Sequence, residues 1–424
     1  MPMKKLILLI FISCATVNSQ TDFNNNFEDG TLRLDFYHTG DKNSELLSFN
    51  RIIKEGAWSG SKLNLIDKLN YGNYFLKVFD ESSKQLIYSR GFGDLFQEWQ
   101  TTEEAKTVVR SMEGSVVMPF PKKKIIVEID RRDRTNKFEK KFEKVIDPDD
   151  YFIIKEKIKS AASFKVHYSG EPATRLDIVF IPEGYSSDEM QKFHKDCKRF
   201  AGYLFEYSPF KENENKINIW GIESPSKESG TDIPGENIWK QTEVDSKFYT
   251  FDSERYLMTT NYYAVKDFAA NAPYDQIYVL VNTSKYGGGS VYNYYSLTAV
   301  DNKFSKQVFV YEFGHGLVGL ADEYGNDNTY QDMYPLDVEP WEPNLTTLVN
   351  FEGKWKSLVD PETPISTPVE NKYKDKIGVF EGGGYVAKGV YRPTFNSIMN
   401  SFASNEFNQV CKDAIQKVIN LYSE

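Results

Sequence analysis

The chain has 424 residues, 40% of them apolar and 15% aromatic, with a formal charge of −10. That apolar share supports at least one complete core and excludes a disordered or fibrous chain, and the aromatic content favours substantial sheet. The acidic balance argues against nucleic acid or an anionic membrane surface as the main partner, and four histidines leave almost no candidates for a metal centre built of imidazoles alone.

In chain order, residues 1–19 (MPMKKLILLIFISCATVNS) have a basic start at Lys4 and Lys5, a short apolar run and a small-residue exit. This is the pattern of a secretory signal, too short to span a bilayer, and it implies a secreted, periplasmic or cell-surface protein. Ile12-Ser13-Cys14 also loosely resembles a lipoprotein cleavage box, which makes Cys14 a possible lipid anchor; cleavage after Ser19 leaves a soluble chain instead. Cys197 and Cys411 then remain, each on an apolar helical face, where buried free thiols are expected rather than a disulfide. No other run is long and apolar enough for a transmembrane helix.

Residues 20–150 read as an all-β sandwich domain. Leu32, Leu34 and Phe36 alternate with polar neighbours, residues 74–79 and 85–88 are strand runs, and residues 124–130 and 136–145 read as a hairpin. Nothing in this region looks catalytic. The turn cluster Asp147-Pro148-Asp149-Asp150 marks a boundary. Residues 151–424 read as an α/β (α+β) domain with a mixed sheet: strands at 176–181, 216–222 and 276–281, a helix opened by a capping box at Ser186 and Glu189, and a packed C-terminal helix over 405–422.

Chemistry concentrates in residues 308–326 (VFVYEFGHGLVGLADEYGN). An apolar helix there carries Glu312 and His315, three apart and so neighbours on its surface. A buried acid beside a buried imidazole needs a reason, and a zinc peptidase helix supplies one. H-E-x-x-H sets two imidazoles one turn apart to reach a single ion, with the Glu between them against the metal-bound water. Asp322, seven residues past His315 and beyond Gly319, is placed to add a third ligand. The first His position, however, is Tyr311.

Residues 309–324 resemble the active-site helix of the IgA-peptidase family of zinc metallopeptidases, whose members read His-Glu-Phe-Gly-His followed by Gly-Leu-Ala-Asp-Glu-Tyr. The likeness extends to residues 177–185 (DIVFIPEGY), 287–297 (GGGSVYNYYSL), 342–346, 354–356 and 380–393 (FEGGGYVAKGVYRP), in the family's order. Residues 20–150 also resemble the family's accessory domain. The resemblance implies one zinc ion with His315 and Asp322 as ligands and Glu312 as general base. It implies a methionine-containing turn at Ser397-Ile398-Met399-Asn400. Gly287, Gly288, Gly289 and Ser290 would form an edge strand that pairs with an extended peptide, and Tyr391 and Arg392 would steady an oxyanion. The implied activity is that of a secreted metalloendopeptidase, hydrolysing a peptide or protein substrate by metal-activated water.

Tyr311 departs from the family pattern and leaves three arrangements open. Tyr311 ligates the metal as a phenolate; a distant His167 or His194 moves in; or the site is empty of metal, with the Tyr311 hydroxyl bonded to Glu312, His315 or Asp322. Two functions follow: a zinc endopeptidase with a degenerate ligand set, or a catalytically inactive pseudo-peptidase that binds peptides or glycoproteins.

Overall fold

The computed structural model describes residues 22–325 and 333–424; the expected secretory signal and the possible lipid anchor at Cys14 lie outside them. The first unit holds seven strands: β1 (Phe27–Gly40), β2 (Glu45–Glu55), β3 (Tyr74–Asp80), β4 (Leu86–Phe92), β5 (Arg110–Pro121), β6 (Ile125–Arg132) and β7 (Phe138–Ile146). They form two antiparallel sheets of order β2-β1-β5 and β4-β3-β6-β7. Alternation puts Leu32, Leu34 and Phe36 of the first sheet and Leu76, Val78, Val127 and Ile129 of the second into one shared core. The expected hairpin is β6–β7. Two short helices, α1 (Phe23–Asn26) and α2 (Leu95–Trp99), accompany the sandwich; Asp94 caps α2 by accepting the Phe96 N–H at 2.6 Å. Beyond the Asp147–Asp150 turn the chain still clings to this unit, since Ile154 bridges Ile53 and Ile153 joins the core.

The second unit is built on a six-stranded mixed sheet from β8 (Ala162–His167), β9 (Leu176–Glu183), β10 (Ile217–Glu223), β11 (Gln276–Val281), β12 (Gly288–Val291) and β13 (Tyr295–Ala299), in the order β12-β13-β11-β9-β10-β8. The four inner strands are parallel, and β8 and β12 are antiparallel edges. The run over β9 is apolar throughout because both of its faces are covered. Ile178 and Phe180 pack under α3 (Met190–Leu204), α5 (Ser305–Val318) and α6 (Gln409–Ser423), while Val179 and Ile181 face α4 (Tyr262–Ala269). The α4 core also takes Phe96 and Trp99 from α2, so it crosses the junction between the two units. The capping box at Ser186 and Glu189 is present, and Cys197 and Cys411 are buried and unpaired. A hairpin, β14 (Phe380–Gly383) with β15 (Val386–Arg392), completes the unit. Among the described residues no helix is long and apolar enough to cross a membrane.

Candidate functional site

Helix α5 lies across β12 and β13 and ends where Gly319 adopts φ 67° and returns its N–H to His315 O at 2.8 Å. That left-handed C-terminal turn suits glycine, and a Cβ here would sit 2.5 Å from the Trp341 ring. The turn folds the chain back over the helix. Leu320 O meets His315 Nδ1 at 2.5 Å, and Asp322 Oδ1 lies 3.3 Å from His315 Nε2. Tyr311, one turn before His315, donates its hydroxyl to that same Asp322 oxygen and sets its ring edge-on to the imidazole, centroids 4.6 Å apart. Three of the positions singled out from the sequence therefore converge on one atom.

Electrostatics follow from this geometry. Burial alone would lower the His315 pKa, but the Asp322 charge beside it outweighs that and pushes it up to about 9. Asp322 is held below the usual carboxylate range, burial being overcome by His315 and by the Tyr311 and Tyr385 hydroxyls. Tyr311 keeps its proton: burial first, then the Asp322 charge, raise it well above 10. Glu312 is pushed up to about 8, chiefly by burial. Its carboxyl makes no hydrogen bond among the described residues and packs against Gly288, where an added Cβ would fall 3.1 Å from Glu312 Oε1.

The remaining predicted residues are placed as follows. Met399 is fully buried, with Sδ 3.2 Å from where a Gly314 Cβ would stand, beneath the helix beside His315. At the edge strand, Gly288 N–H and C=O are already taken by Arg255 O (3.3 Å) and Leu257 N–H (3.1 Å). Residues 255–257 thus close the sheet edge at Gly288. Gly289 lies against Met258 and Tyr256, and Gly287 against Phe248. By antiparallel alternation Ser290 is the next residue with backbone facing outward, while its hydroxyl turns inward to Ser296 at 2.6 Å. Arg392 donates to the carbonyls of Glu381 (2.9 Å) and Gly382 (2.8 Å), and Tyr391 packs partly against Phe351, Trp355 and Val379. No hydrogen bond or ion pair ties either to Glu312, His315 or Asp322 among the described residues. His167 and His194 stay away as well: His194 is half-buried, stacked on Phe164 and paired with Glu223 at 2.7 Å.

Sequence reasoning missed two residues. Glu323, beside Asp322, is fully buried and gathers Asn344, Asn408, Cys411 and Ser397. Glu98, on α2 of the β-unit, accepts the Tyr256 hydroxyl, and its charge is felt at Glu312. Burial pushes Glu98 up to about 7. No local motif marks it; domain packing alone brings it to the cleft.

The family IgA Peptidase M64 matches residues 164–376 and 369–419, and its Peptidase M64 N-terminus matches residues 22–143. The chain belongs to the IgA peptidase M64 family. No curated protein matches it. An M64 protein is a member of a metallopeptidase family, which makes zinc the implied ion and peptides or proteins the implied substrates. Catalytic zinc takes three protein donors and a water. Here the donor set is one imidazole, one carboxylate and a phenol that keeps its proton and spends it on the carboxylate. Among the described residues no three His, Cys, Asp or Glu side chains come together to hold a metal. The residues present do not fit a tightly held zinc.

Proposed function

We propose that this M64 protein is a pseudo-peptidase, secreted or held at the cell surface by its 1–19 leader, that binds peptide segments of proteins or glycoproteins without zinc-dependent hydrolysis. The observation that carries this reading is the Tyr311 hydroxyl on Asp322 Oδ1, the oxygen that also faces His315 Nε2. Residues that would otherwise converge on an ion satisfy one another. The cleft beside them keeps a free carboxyl at Glu312 and outward-facing backbone at Ser290, features suited to an extended peptide.

Metal analysis with an unbiased peptide-cleavage screen tests it. The expected outcome is substoichiometric zinc, no chelator-sensitive cleavage, and peptide affinity that survives Glu312→Ala. Tyr311→His restores two imidazoles one turn apart and is expected to tighten zinc by at least about a hundredfold, since even outer partners of a zinc ligand are worth 10–100-fold. Near-stoichiometric zinc in the parent, with turnover abolished by a chelator and by Glu312→Ala, would reverse the conclusion.

That reversal is the second reading, a zinc endopeptidase with a degenerate ligand set, and one feature favours it. His315 Nδ1 is anchored on Leu320 O, the outer contact that orients a metal-binding imidazole, which leaves Nε2 for the ion. In that reading Tyr311 releases Asp322, and Glu312 is the general base.

A further inference from the structure

A cavity of about 220 Å³ lies at the junction of the two units, walled by β2, β4 and β5 on one side and by α4 and residues 270–277 on the other. It is remote in sequence from Glu312, His315 and Asp322 and shares no lining residue with them. Its walls carry two buried cations whose hydrogen-bonding capacity the protein leaves partly unused. Lys266, 4% exposed, makes no hydrogen bond or ion pair among the described residues; its Nζ stands 4.5 Å from the centroid of the Tyr274 ring. Arg90, 6% exposed, lies over the Tyr88 and Tyr422 rings and reaches Asn64 O from Nη2 at 3.5 Å, while its Nη1 has no hydrogen-bond partner. The Ser115 hydroxyl on the same wall is also without one.

The anions at the cavity are already occupied. Glu55 takes the Tyr274 hydroxyl at 3.0 Å and Arg33 Nη1 at 3.4 Å. Asp275 accepts the Asp177 N–H at 2.9 Å, and burial, with the Asp177 charge beside it, raises its pKa well above the normal carboxylate value. Burial also brings Lys266 down to about 8, against the opposing pull of the Glu55, Asp35 and Asp267 charges. A buried donor without an acceptor is costly, and a charged one more so. Much of the remaining wall is aromatic or aliphatic, with Trp58, Tyr262, Tyr294 and Val116 among its residues. An apolar cavity of roughly 150 Å³ suffices for benzene, so this one has room for a ring and a charged head.

We propose that the cavity between the β-unit and the peptidase unit binds a small carboxylate with an aromatic or apolar body, its charged end drawn to Lys266 and Arg90. A monoanion fits better than a phosphate dianion because Glu55 stands on the same wall. The inference is independent of what the M64 cleft does.

Titration calorimetry of the intact chain with benzoate tests it. Saturable one-to-one binding is expected, with benzyl alcohol, the same ring without the charge, at least about tenfold weaker. Lys266→Met is expected to weaken benzoate by a similar factor. Ala270→Trp, a half-buried rim position, is expected to block entry and leaves both cations in place. No saturable binding at millimolar benzoate, equal binding of benzyl alcohol, or benzoate affinity unchanged in Ala270→Trp each overturns the proposal. The alcohol and rim arms decide it even if Lys266→Met fails to fold.

Discussion

At Glu98 a single carboxyl links the two units of the chain. It leaves the β-unit on α2, accepts the Tyr256 hydroxyl and stands close enough to Glu312 for the two charges to repel. Burial raises its pKa from 4.5 to about 7, against the opposing pull of Tyr256. The native state therefore binds this proton more tightly than the unfolded chain. The stabilisation is complete below pH 4.5 and is lost as pH rises through 7. Glu312, raised to about 8, carries the same sign. Glu98→Gln keeps an acceptor for Tyr256 and removes the titration. Urea unfolding of the parent at pH 5 and pH 8.5 is expected to show a fall in stability that Glu98→Gln reduces by on the order of 1 kcal/mol, the full shift being discounted for partial exposure. Identical falls in the two proteins would mean that the carboxylate stays well solvated.

At the scale of elements, helix α5 was the most legible part of the molecule, and the reason is physical. An apolar run of more than three turns closed by Gly319 admits few alternatives, and Glu312 and His315 stand out because charged groups are rare in such a run. The turn that follows was legible only in part. Asp322 could be placed by its distance from His315, but the role of its neighbour Glu323 depends on partners far away in sequence. Glu323 Oε1 takes Asn344 (3.0 Å), Asn408 (2.8 Å) and Cys411 (3.3 Å), and Oε2 takes Ser397 (2.5 Å). It ties the turn after α5 to the Met399 segment and to the start of α6, whose cap is Asn408. Glu323→Ala would leave these donors buried without an acceptor and is expected to cost about 3–5 kcal/mol. Glu323→Gln keeps one oxygen and should lose clearly less. Thermal melts of the two variants check this ranking, and equal losses would place the importance of the site in its volume rather than in its acceptors.

Across the whole molecule, the division into a β-unit and an α/β unit was readable from the change in hydrophobic period near residue 150, whereas the tightness of their junction was not, because its partners lie 150 to 234 residues apart. Arg33 on β1, 1% exposed, donates to Asp35 at 2.7 and 2.8 Å and to Asp267 on α4 at 2.6 Å. Around it, the Tyr263 hydroxyl donates to Phe36 O and Tyr263 N–H to Glu113, at 2.6 and 2.7 Å. With a shared apolar core beneath, the two units have no independent surface at which to separate. The chain is therefore expected to unfold in one transition, with tryptophan fluorescence and far-ultraviolet circular dichroism coinciding. Arg33→Met leaves Asp35 and Asp267 to Arg51, which reaches Asp35 at 2.8 Å but Asp267 only at 3.7 Å. Removing one partner of a buried charge pair costs about 3–5 kcal/mol, and here the loss is expected to move both probes together to lower urea. If the variant instead splits the transition, so that one probe shifts and the other holds its midpoint, the junction is an ordinary domain contact and Glu98 reaches the cleft without the support of a common core.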